Sequence, residues 1–255
     1  MSWCDNLPWD RLRARVGRLS GLCSPVPGSC LVCRGPIGAG RPRCLQCKRH
    51  RAAARGLLAD AVVPVSYAVR GTAFAGDLWR YKACHASDAE IRTSVLALSL
   101  VFLHDHGRCV WDAAGMAAPD RLAVVPSGYG RPGVHPLLRL VAPYLRLPVV
   151  RLILRSDEQG RELNADRFRV GEGAAGANVL LLDDTWVSGG SVQSAAVALK
   201  RAGAARVAVV VLGRHVNPDD PGNAALLAAM GWPGADYQTG YDPAKCAICG
   251  NRTIT

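Results

Sequence analysis

The sequence lacks the features that mark a membrane or secreted protein. No apolar run is as long as the roughly 20 residues that cross a bilayer. The first 18 residues also lack the uninterrupted apolar stretch of a signal peptide. We therefore expect a cytoplasmic protein that does not enter membranes.

Acidic residues are few: 20 Asp and Glu stand against 31 Lys and Arg, for a formal charge of +11. The imbalance is strongest in residues 34–59, which contain seven Lys and Arg and no acid. Such a basic surface favours phosphate-bearing ligands or nucleic acid. Residues 34–55 also contain no aromatic side chain, which argues against base stacking on this segment.

The chain has 255 residues, 49% of them hydrophobic, enough for one sizeable core with a small appendage. Residues 1–58 show no sustained hydrophobic period and are predicted to form a separate module. Residues 59–217 alternate strand and helix patterns, and 218–255 form a C-terminal extension. We expect an α/β domain with an N-terminal add-on.

Apolar runs predict the elements of this domain. A capping box at Ser87–Glu90 is expected to begin a helix that ends at Gly107. Strand, helix and strand in succession predict a parallel sheet with ligands beyond the carboxyl ends of its strands. Strands are predicted at 61–69, 122–126, 149–154, 178–184 and 206–212, and helices at 74–83, 87–106, from 136, at 192–199 and at 223–230.

The segment 179–191 combines an apolar strand, the acid pair Asp183 and Asp184, a loop of small residues and a helix. Backbone N–H groups of such a loop can converge on an anion, and the helix dipole adds positive potential. Ser188 and Ser191 can donate hydroxyl hydrogen bonds, and Gly189 and Gly190 permit close approach. The alternative is an acid pair that ends a buried strand before an ordinary turn.

Six of the ten cysteines fall in three Cys-x-x-Cys pairs, which in a cytosolic protein indicates metal binding rather than disulfides. Cys30, Cys33, Cys44 and Cys47 form two pairs separated by ten residues, a spacing that suits a structural Cys4 zinc site. Zinc would supply folding energy that this module cannot obtain from burial. A redox dithiol is the alternative for either pair alone.

The third pair, Cys246 and Cys249, needs two further ligands for a second zinc site. Cys4 and Cys23 are the available thiols, and a free dithiol is the alternative. The histidines at 85, 104, 106 and 135 show no metal-ligand spacing of their own and are assigned no catalytic role. The cysteines at 84 and 109 are expected to be buried or incidental thiols.

The segment 179–191 resembles the phosphoribosyl pyrophosphate (PRPP) motif of type I phosphoribosyltransferases, which has the same order of strand, two acids, glycine loop and helix. The resemblance implies that Asp183 and Asp184 orient the ribose through its hydroxyls. It implies that residues 187–191, with Val187, Ser188, Gly189, Gly190 and Ser191, surround the 5-phosphate, and that Thr185 also belongs to the PRPP-binding residues. Val187 departs from the motif's usual Thr or Asp, which removes one side-chain contact or a possible base.

A Cys module before such a domain resembles the ComF family, named for a competence-associated protein. The matching segments are the Cys pairs, 78–82 (Leu-Trp-Arg-Tyr-Lys), 124–126 (Val-Val-Pro), 159–168 and the PRPP loop. The family's basic stretch after Val-Pro is replaced here by 127–135. This replacement makes Ser127, Gly128 and Arg131 the candidates for the pyrophosphate loop, with Arg131 as its charged contact. A simple glycine-rich connection is the alternative.

Further basic residues each have a functional and a structural interpretation. Arg155, Arg161 and Arg167, with Asn164, are candidates for a hood over the pyrophosphate, or else are solvated loop charges. Lys82 is a candidate phosphate or base contact beside an aromatic pair that is more typical of a core.

Three functions follow from these patterns. The first is a transferase that moves the 5-phosphoribosyl group from PRPP to a nitrogen nucleophile, with Mg²⁺ and release of pyrophosphate. The second is a ComF-like factor that handles single-stranded DNA. The third is a sensor that binds PRPP without turnover, which the Val187 departure favours.

Overall fold

A computed structural model describes residues 7–17, 26, 28–38, 40–83, 86–127, 133–155, 160, 162–234 and 245–251. Within these residues, the α-helices are α1 (Trp9–Val16), α2 (Leu45–Ala54), α3 (Ala73–Arg80), α4 (Ala89–Ala114), α5 (Pro136–Leu145), α6 (Gly190–Arg201) and α7 (Ala224–Ala229). The strands are β1 (Ala61–Val69), β2 (Arg121–Val124), β3 (Leu152–Leu154), β4 (Phe168–Val170), β5 (Asn178–Trp186), β6 (Arg206–Val216), β7 (Lys245–Cys246) and β8 (Gly250–Asn251).

Four strands form a parallel sheet in the order β1-β6-β5-β2. The inner strands β5 and β6 are nearly continuous apolar runs because both of their faces are covered. Leu180 and Leu182 pack in one apolar cluster with α4 and α5, whereas Val179 and Leu181 pack in another with α6. The predicted α/β class, with helices on both faces of a parallel sheet, is confirmed.

The two central strands are longer than predicted. Strand β5 continues to Trp186, and β6 continues to Val216. Asp183 pairs in register with Val211, and Thr185 pairs with Gly213. The acid pair therefore lies near the end of a paired strand, where the sheet fixes its backbone.

The predicted end of helix α4 is wrong. The helix passes through Gly107 and ends at Ala114, where Gly115 adopts the left-handed conformation (φ 68°). A side chain at Gly107 would meet the indole of Trp111, with Cζ2 at 3.3 Å. Gly107 thus leaves room for the indole of the buried Trp111. The glycine that caps the helix is Gly115, eight positions later.

The strand predicted at 149–154 is shorter than expected. Its last three residues form β3, which pairs antiparallel with β4 outside the main sheet. Val149 contributes only an isolated parallel bridge to Leu122 in β2.

The N-terminal cysteines lie against the main domain. Cys30, Cys33 and Cys47 share an apolar cluster with Val209 of β6 and Leu199 of α6. Tyr67 of β1 donates a hydrogen bond to the backbone oxygen of Arg34, at 2.9 Å. The division into three segments stays a prediction. None of the described helices has the length and apolar character that a membrane span requires.

Candidate functional site

The loop between β5 and α6 is shaped by Gly189 and Trp186. Gly189 has φ 83°, a left-handed conformation that side chains disfavour. A Cβ atom there would lie 2.1 Å from Cζ2 of the buried Trp186 indole. Only glycine fits, because the backbone turns directly over the ring before α6 begins.

Small polar side chains line the start of α6. The backbone N–H of Gly190 is 3.3 Å from Ser188 Oγ, and Ser191 Oγ accepts a hydrogen bond from Arg167 Nη1 at 2.8 Å. The first N–H groups of a helix have no partner within the helix, and they carry its positive dipole end. This end of α6 can therefore hold an anion.

The two neighbouring carboxylates have different surroundings, and Asp184 is the one held by several side chains. Its side chain is only 5% exposed. Tyr81 Oη donates to Oδ2 at 2.7 Å, and Lys82 Nζ donates to Oδ1 at 2.8 Å. His135 Nε2 lies 3.8 Å from Oδ2. Asp184 is thus held in place from both α3 and α5.

Asp183 accepts the backbone N–H of Asp184 at Oδ1 (2.9 Å) and lines the neighbouring cavity. Burial raises its pKa well above the usual range, and the adjacent Asp184 carboxylate raises it further, while Lys82 acts in the opposite direction. Unlike Asp184, it is a carboxylate poorly compensated by its surroundings. A cation or hydroxyl donors in the cavity would favour its ionised form.

A cavity of about 230 Å³ lies beyond the carboxyl ends of β2 and β5. Most of the predicted PRPP residues line it, together with Lys82 and His135. Its lining comprises Lys82, Val125, Pro126, Ser127, His135, Gly160, Asp183, Asp184, Thr185 and residues 187–192. Gly128 and Arg131 lie outside the described residues, so their predicted roles stay predictions.

A second cavity, of about 480 Å³, opens beside the first and shares Lys82 and Thr185 with it. Its rim carries Trp79, which is 72% exposed, an unusual position for so large an apolar side chain. Tyr81, by contrast, is buried. Of the predicted aromatic pair, one member therefore belongs to the core and the other faces solvent.

The predicted hood residues do not act alike. Arg167 is buried. Its Nη1 donates to Ser191 Oγ, and its Nη2 donates to the backbone oxygen of Glu162 at 3.1 Å. It is therefore not a solvated loop charge. Arg155 is exposed. Asn164 bonds through its backbone N–H to Ser194 Oγ at 2.8 Å. Arg161 lies outside the described residues.

Arg214 joins the phosphate loop to the N-terminal segment. Its Nη1 lies 3.2 Å from the backbone oxygens of both Trp186 and Val187, to which it donates. Gly35 presses against the same guanidinium, where a Cβ atom would lie 2.3 Å from Nη2. The N-terminal segment thus covers a buried cation that fixes the beginning of the loop.

Four thiols at 30, 33, 44 and 47 form one cluster, with all Sγ atoms within 4.8 Å of one another. The Sγ atoms of Cys33 and Cys44 are 3.7 Å apart, and Cys44 Sγ accepts the backbone N–H of Cys47. Hydrogen bonds from the other three thiols hold the pKa of Cys30 well below its usual range, and the hydrogen bonds with Cys30 and Cys44 raise the pKa of Cys33. The predicted ligands come together in a group that can hold a metal ion such as zinc.

A second group of donors was only half predicted. Cys246 and Cys249 meet His106 and Cys109 of α4, again with all donor atoms within 4.8 Å. The sequence shows no ligand spacing for His106 alone and predicts that Cys109 is a buried or incidental thiol, and the structure brings both beside the third Cys pair. Cys4 and Cys23, proposed as partners of this pair, lie outside the described residues, as do Cys84 and His85. This group too can hold a metal ion.

Three residues that contact Asp184 or the loop after β5 were missed from the sequence. Tyr81 and His135 were assigned to the core or to no role, and Arg214 was not considered. The polar end of a tyrosine beside Lys82 was a usable signal, because a buried hydroxyl usually finds a partner. Arg214 carried a second signal, since an arginine within the apolar run 207–216 must be compensated.

Comparisons with known proteins found similarity among solved structures. A hypoxanthine phosphoribosyltransferase from Staphylococcus aureus is 11% identical, with 45% of this chain and 74% of that chain covered and a TM-score of 0.31. A purine phosphoribosyltransferase from Pyrococcus horikoshii is 14% identical, with 49% and 89% covered and a TM-score of 0.31. No protein-family model and no curated protein matches the chain, so the ComF resemblance stays a prediction. These values are too low to assign a function.

We predict opposite stability effects for the two acids. Asp183→Asn should stabilise the ligand-free protein at neutral pH, because it removes a poorly compensated charge while its amide oxygen can still accept from Asp184 N–H. Asp184→Asn should destabilise by about 2 kcal/mol, the contribution of a charge-assisted hydrogen bond. Urea unfolding midpoints of both variants would test this.

The effect of Asp183→Asn should also depend on pH. Because the pKa of Asp183 is raised in the folded state, its carboxyl group does not lower the free energy of unfolding at pH values below the usual pKa of about 4. Above that value the loss of stability grows as pH rises toward the folded-state pKa. The increase in stability of Asp183→Asn over the wild type should therefore be small at pH 4.5 and larger at pH 7.5. An equal gain at both values would contradict the assignment.

Gly189→Ala should destabilise the protein more than a left-handed glycine alone explains. Gly176→Ala is the matched control, because Gly176 has φ 71° and a Cβ added there would meet none of the described atoms within 4 Å. The control should lose about 1 kcal/mol, the cost of left-handed backbone. Gly189→Ala should lose at least about twice that in urea unfolding. Equal losses of stability in the two variants would show that the Trp186 side chain moves aside at little cost and would contradict the prediction.

Proposed function

We propose that the chain binds PRPP and transfers its 5-phosphoribosyl group to a nitrogen nucleophile, with release of pyrophosphate. The observation that carries the proposal is the cavity of about 230 Å³ that is lined by both the N-terminal end of α6 and Asp183. An anion site beside a carboxylate suits a ligand with a phosphate at one end and hydroxyls next to it. A phosphorylated ribose has both.

In this proposal the 5-phosphate lies against residues 187–191, where backbone N–H groups and the hydroxyls of Ser188 and Ser191 donate to it. Val187 has an exposed apolar side chain, so its contribution comes from the backbone. Thr185, on the cavity wall, faces the sugar. Arg167 holds Ser191 in place, and Arg214 holds the start of the loop.

Asp183 is assigned the ribose hydroxyls because it has fewer partners than its neighbour. Both oxygens of Asp184 already accept from Tyr81 and Lys82. Asp184 is therefore a positioning residue that keeps Lys82 at the cavity. The Lys82 ammonium then lies close to where negative charge accumulates on a departing pyrophosphate.

Ser127, Gly128 and Arg131 are proposed to bind the pyrophosphate. Carboxylate and phosphate oxygens are the ligands that Mg²⁺ prefers, and Asp183 fits that preference. Bound Mg²⁺ would neutralise charge on the pyrophosphate as the bond to carbon 1 breaks. The protein contributes mainly by placing carbon 1 in line with the acceptor. The second cavity, with its exposed Trp79, offers room for that acceptor.

Zinc is the metal that we propose for Cys30, Cys33, Cys44 and Cys47. Four thiolates leave no open coordination position, so the role is structural. The ion would hold the segment that packs on Arg214. The proposed PRPP and zinc sites are thereby connected through one guanidinium.

Calorimetric titration of PRPP with Mg²⁺ tests the proposal. The wild type should bind, and Asp183→Asn should lose about 10- to 100-fold in affinity, as expected for one or two hydrogen bonds to a charged group. Asp112→Asn, an exposed carboxylate of α4 outside the cavity, should bind as the wild type does. Absence of binding by the wild type would exclude PRPP as the ligand.

A sensor that binds PRPP without turnover is the first competing function. It is favoured by Val187, whose apolar side chain cannot make the polar contact to the ligand that the Thr or Asp of the motif would make. Pyrophosphate release distinguishes the two. Release in the presence of a nitrogen acceptor supports the transferase, and binding without release for any acceptor tested supports the sensor.

Single-stranded DNA is the second competing ligand, favoured by a basic cleft of about 450 Å³ between the N-terminal segment and the start of β1. Arg34, Arg43 and Arg51 line it, and Asp60 on its wall is already paired with Lys200 at 2.7 Å. DNA binding here should weaken steeply with salt and fall in Arg43→Gln/Arg51→Gln. Affinity that is unaffected by salt would exclude this mode.

A further inference from the structure

The second group brings four possible metal ligands together, with all donor atoms within 4.8 Å of one another. His106 and Cys109 lie three positions apart on α4, on one face of the helix. Cys246 is the last residue of β7, and Cys249 lies in the turn before β8. Zinc bonds of about 2.0–2.3 Å in a tetrahedron place ligand atoms about 3.5–3.8 Å apart. Cys249 Sγ is 3.8 Å from His106 Nδ1, which meets this requirement. Cys246 Sγ is 3.0 Å from Cys249 Sγ, so the two sulfurs would have to separate by about 0.5–0.8 Å to bind one ion.

The backbone around the pair is also arranged for metal-bound sulfur. The N–H groups of Ile248 and Cys249 both point at Cys246 Sγ, at 3.4 and 3.2 Å. Such donors stabilise a thiolate over a thiol. The first cluster repeats the arrangement, since Cys47 N–H donates to Cys44 Sγ at 3.4 Å. The two groups share one local design.

Two members of this group are buried, and one of them is a polar imidazole. His106 is 2% exposed and Cys246 is 1% exposed. The His106 ring also packs against Phe102, with ring centroids 5.4 Å apart, which fixes its orientation. A disulfide between Cys246 and Cys249 would not explain why Cys109 and the His106 imidazole lie beside them.

We propose that His106, Cys109, Cys246 and Cys249 bind one zinc ion, and that this ion fastens the C-terminal segment to α4. Strands β7 and β8 have two residues each, too few to fold without such support. Three sulfurs and one imidazole nitrogen fill the four positions, so the ion is structural. The site is separate from the PRPP cavity and from the first cysteine cluster.

The same ion would connect the two ends of the chain. The guanidinium of Arg34, which follows the first Cys pair, donates to the backbone oxygen of Ala247 between Cys246 and Cys249. Ile248 of this turn also lines the basic cleft beside Arg34. Loss of the ion would therefore release one wall of that cleft.

Zinc content measured by native mass spectrometry tests the proposal. The wild type should carry two zinc ions per chain, and Cys246→Ser/Cys249→Ser should carry one. His106→Gln should lose one ion to a chelator at least about tenfold faster than the wild type, because the site drops to three ligands. His104→Gln is the matched control, two positions away on the same helix and outside the group, and should retain both ions as the wild type does.

Thiol alkylation provides a test on the wild type alone, in case a variant fails to fold. Cys109, Cys246 and Cys249 should resist iodoacetamide until a chelator removes zinc, and should then react. Cobalt substitution should add an absorption spectrum of three sulfurs and one nitrogen to that of four sulfurs. A single zinc in the wild type with these three thiols reactive would overturn the proposal and leave the proposed function unaffected.

Discussion

The candidate site depends on the neutralisation of one buried carboxylate. Asp184 lies inside the end of β5, where an isolated charge would be prohibitively costly. Tyr81 and Lys82, from the end of α3, both reach it, and His135, at the start of α5, lies close to it. This requirement draws the two helices toward the carboxyl end of the sheet. The cavity between them and the α6 loop follows from that convergence.

The opposite side of the loop is held by a second buried charge. Arg214, within β6, donates to two loop carbonyls, and Gly35 covers its guanidinium. Gly189 then turns over Trp186 with no room for a side chain. The loop is thus fixed before any ligand arrives, and a preorganised site binds without the cost of ordering it. Cys30, in the N-terminal cysteine cluster, donates its backbone N–H to the Gly35 oxygen at 2.8 Å and so helps to hold Gly35 in place.

Local patterns predicted what local physics decides. The parallel sheet follows from apolar runs alternating with helices, and the Cys4 group follows from two short pairs close in sequence. Contacts across long separations were not visible. Cys249 and His106 are 143 positions apart, so only the packing of the C-terminal turn on α4 reveals their group. Gly107 was misassigned as a helix end because its packing against Trp111 cannot be derived from composition.

We propose that the start of α6 and Asp183 hold opposite ends of a phosphorylated ribose. Backbone amide shifts measured by NMR during titration with ribose 5-phosphate test it most directly. The amides of Ser188, Gly189, Gly190 and Ser191 should shift together, and in Asp183→Asn they should shift only at higher ligand concentration. Shifts confined to the basic cleft around Arg43 and Arg51, with the loop unchanged, would contradict the account.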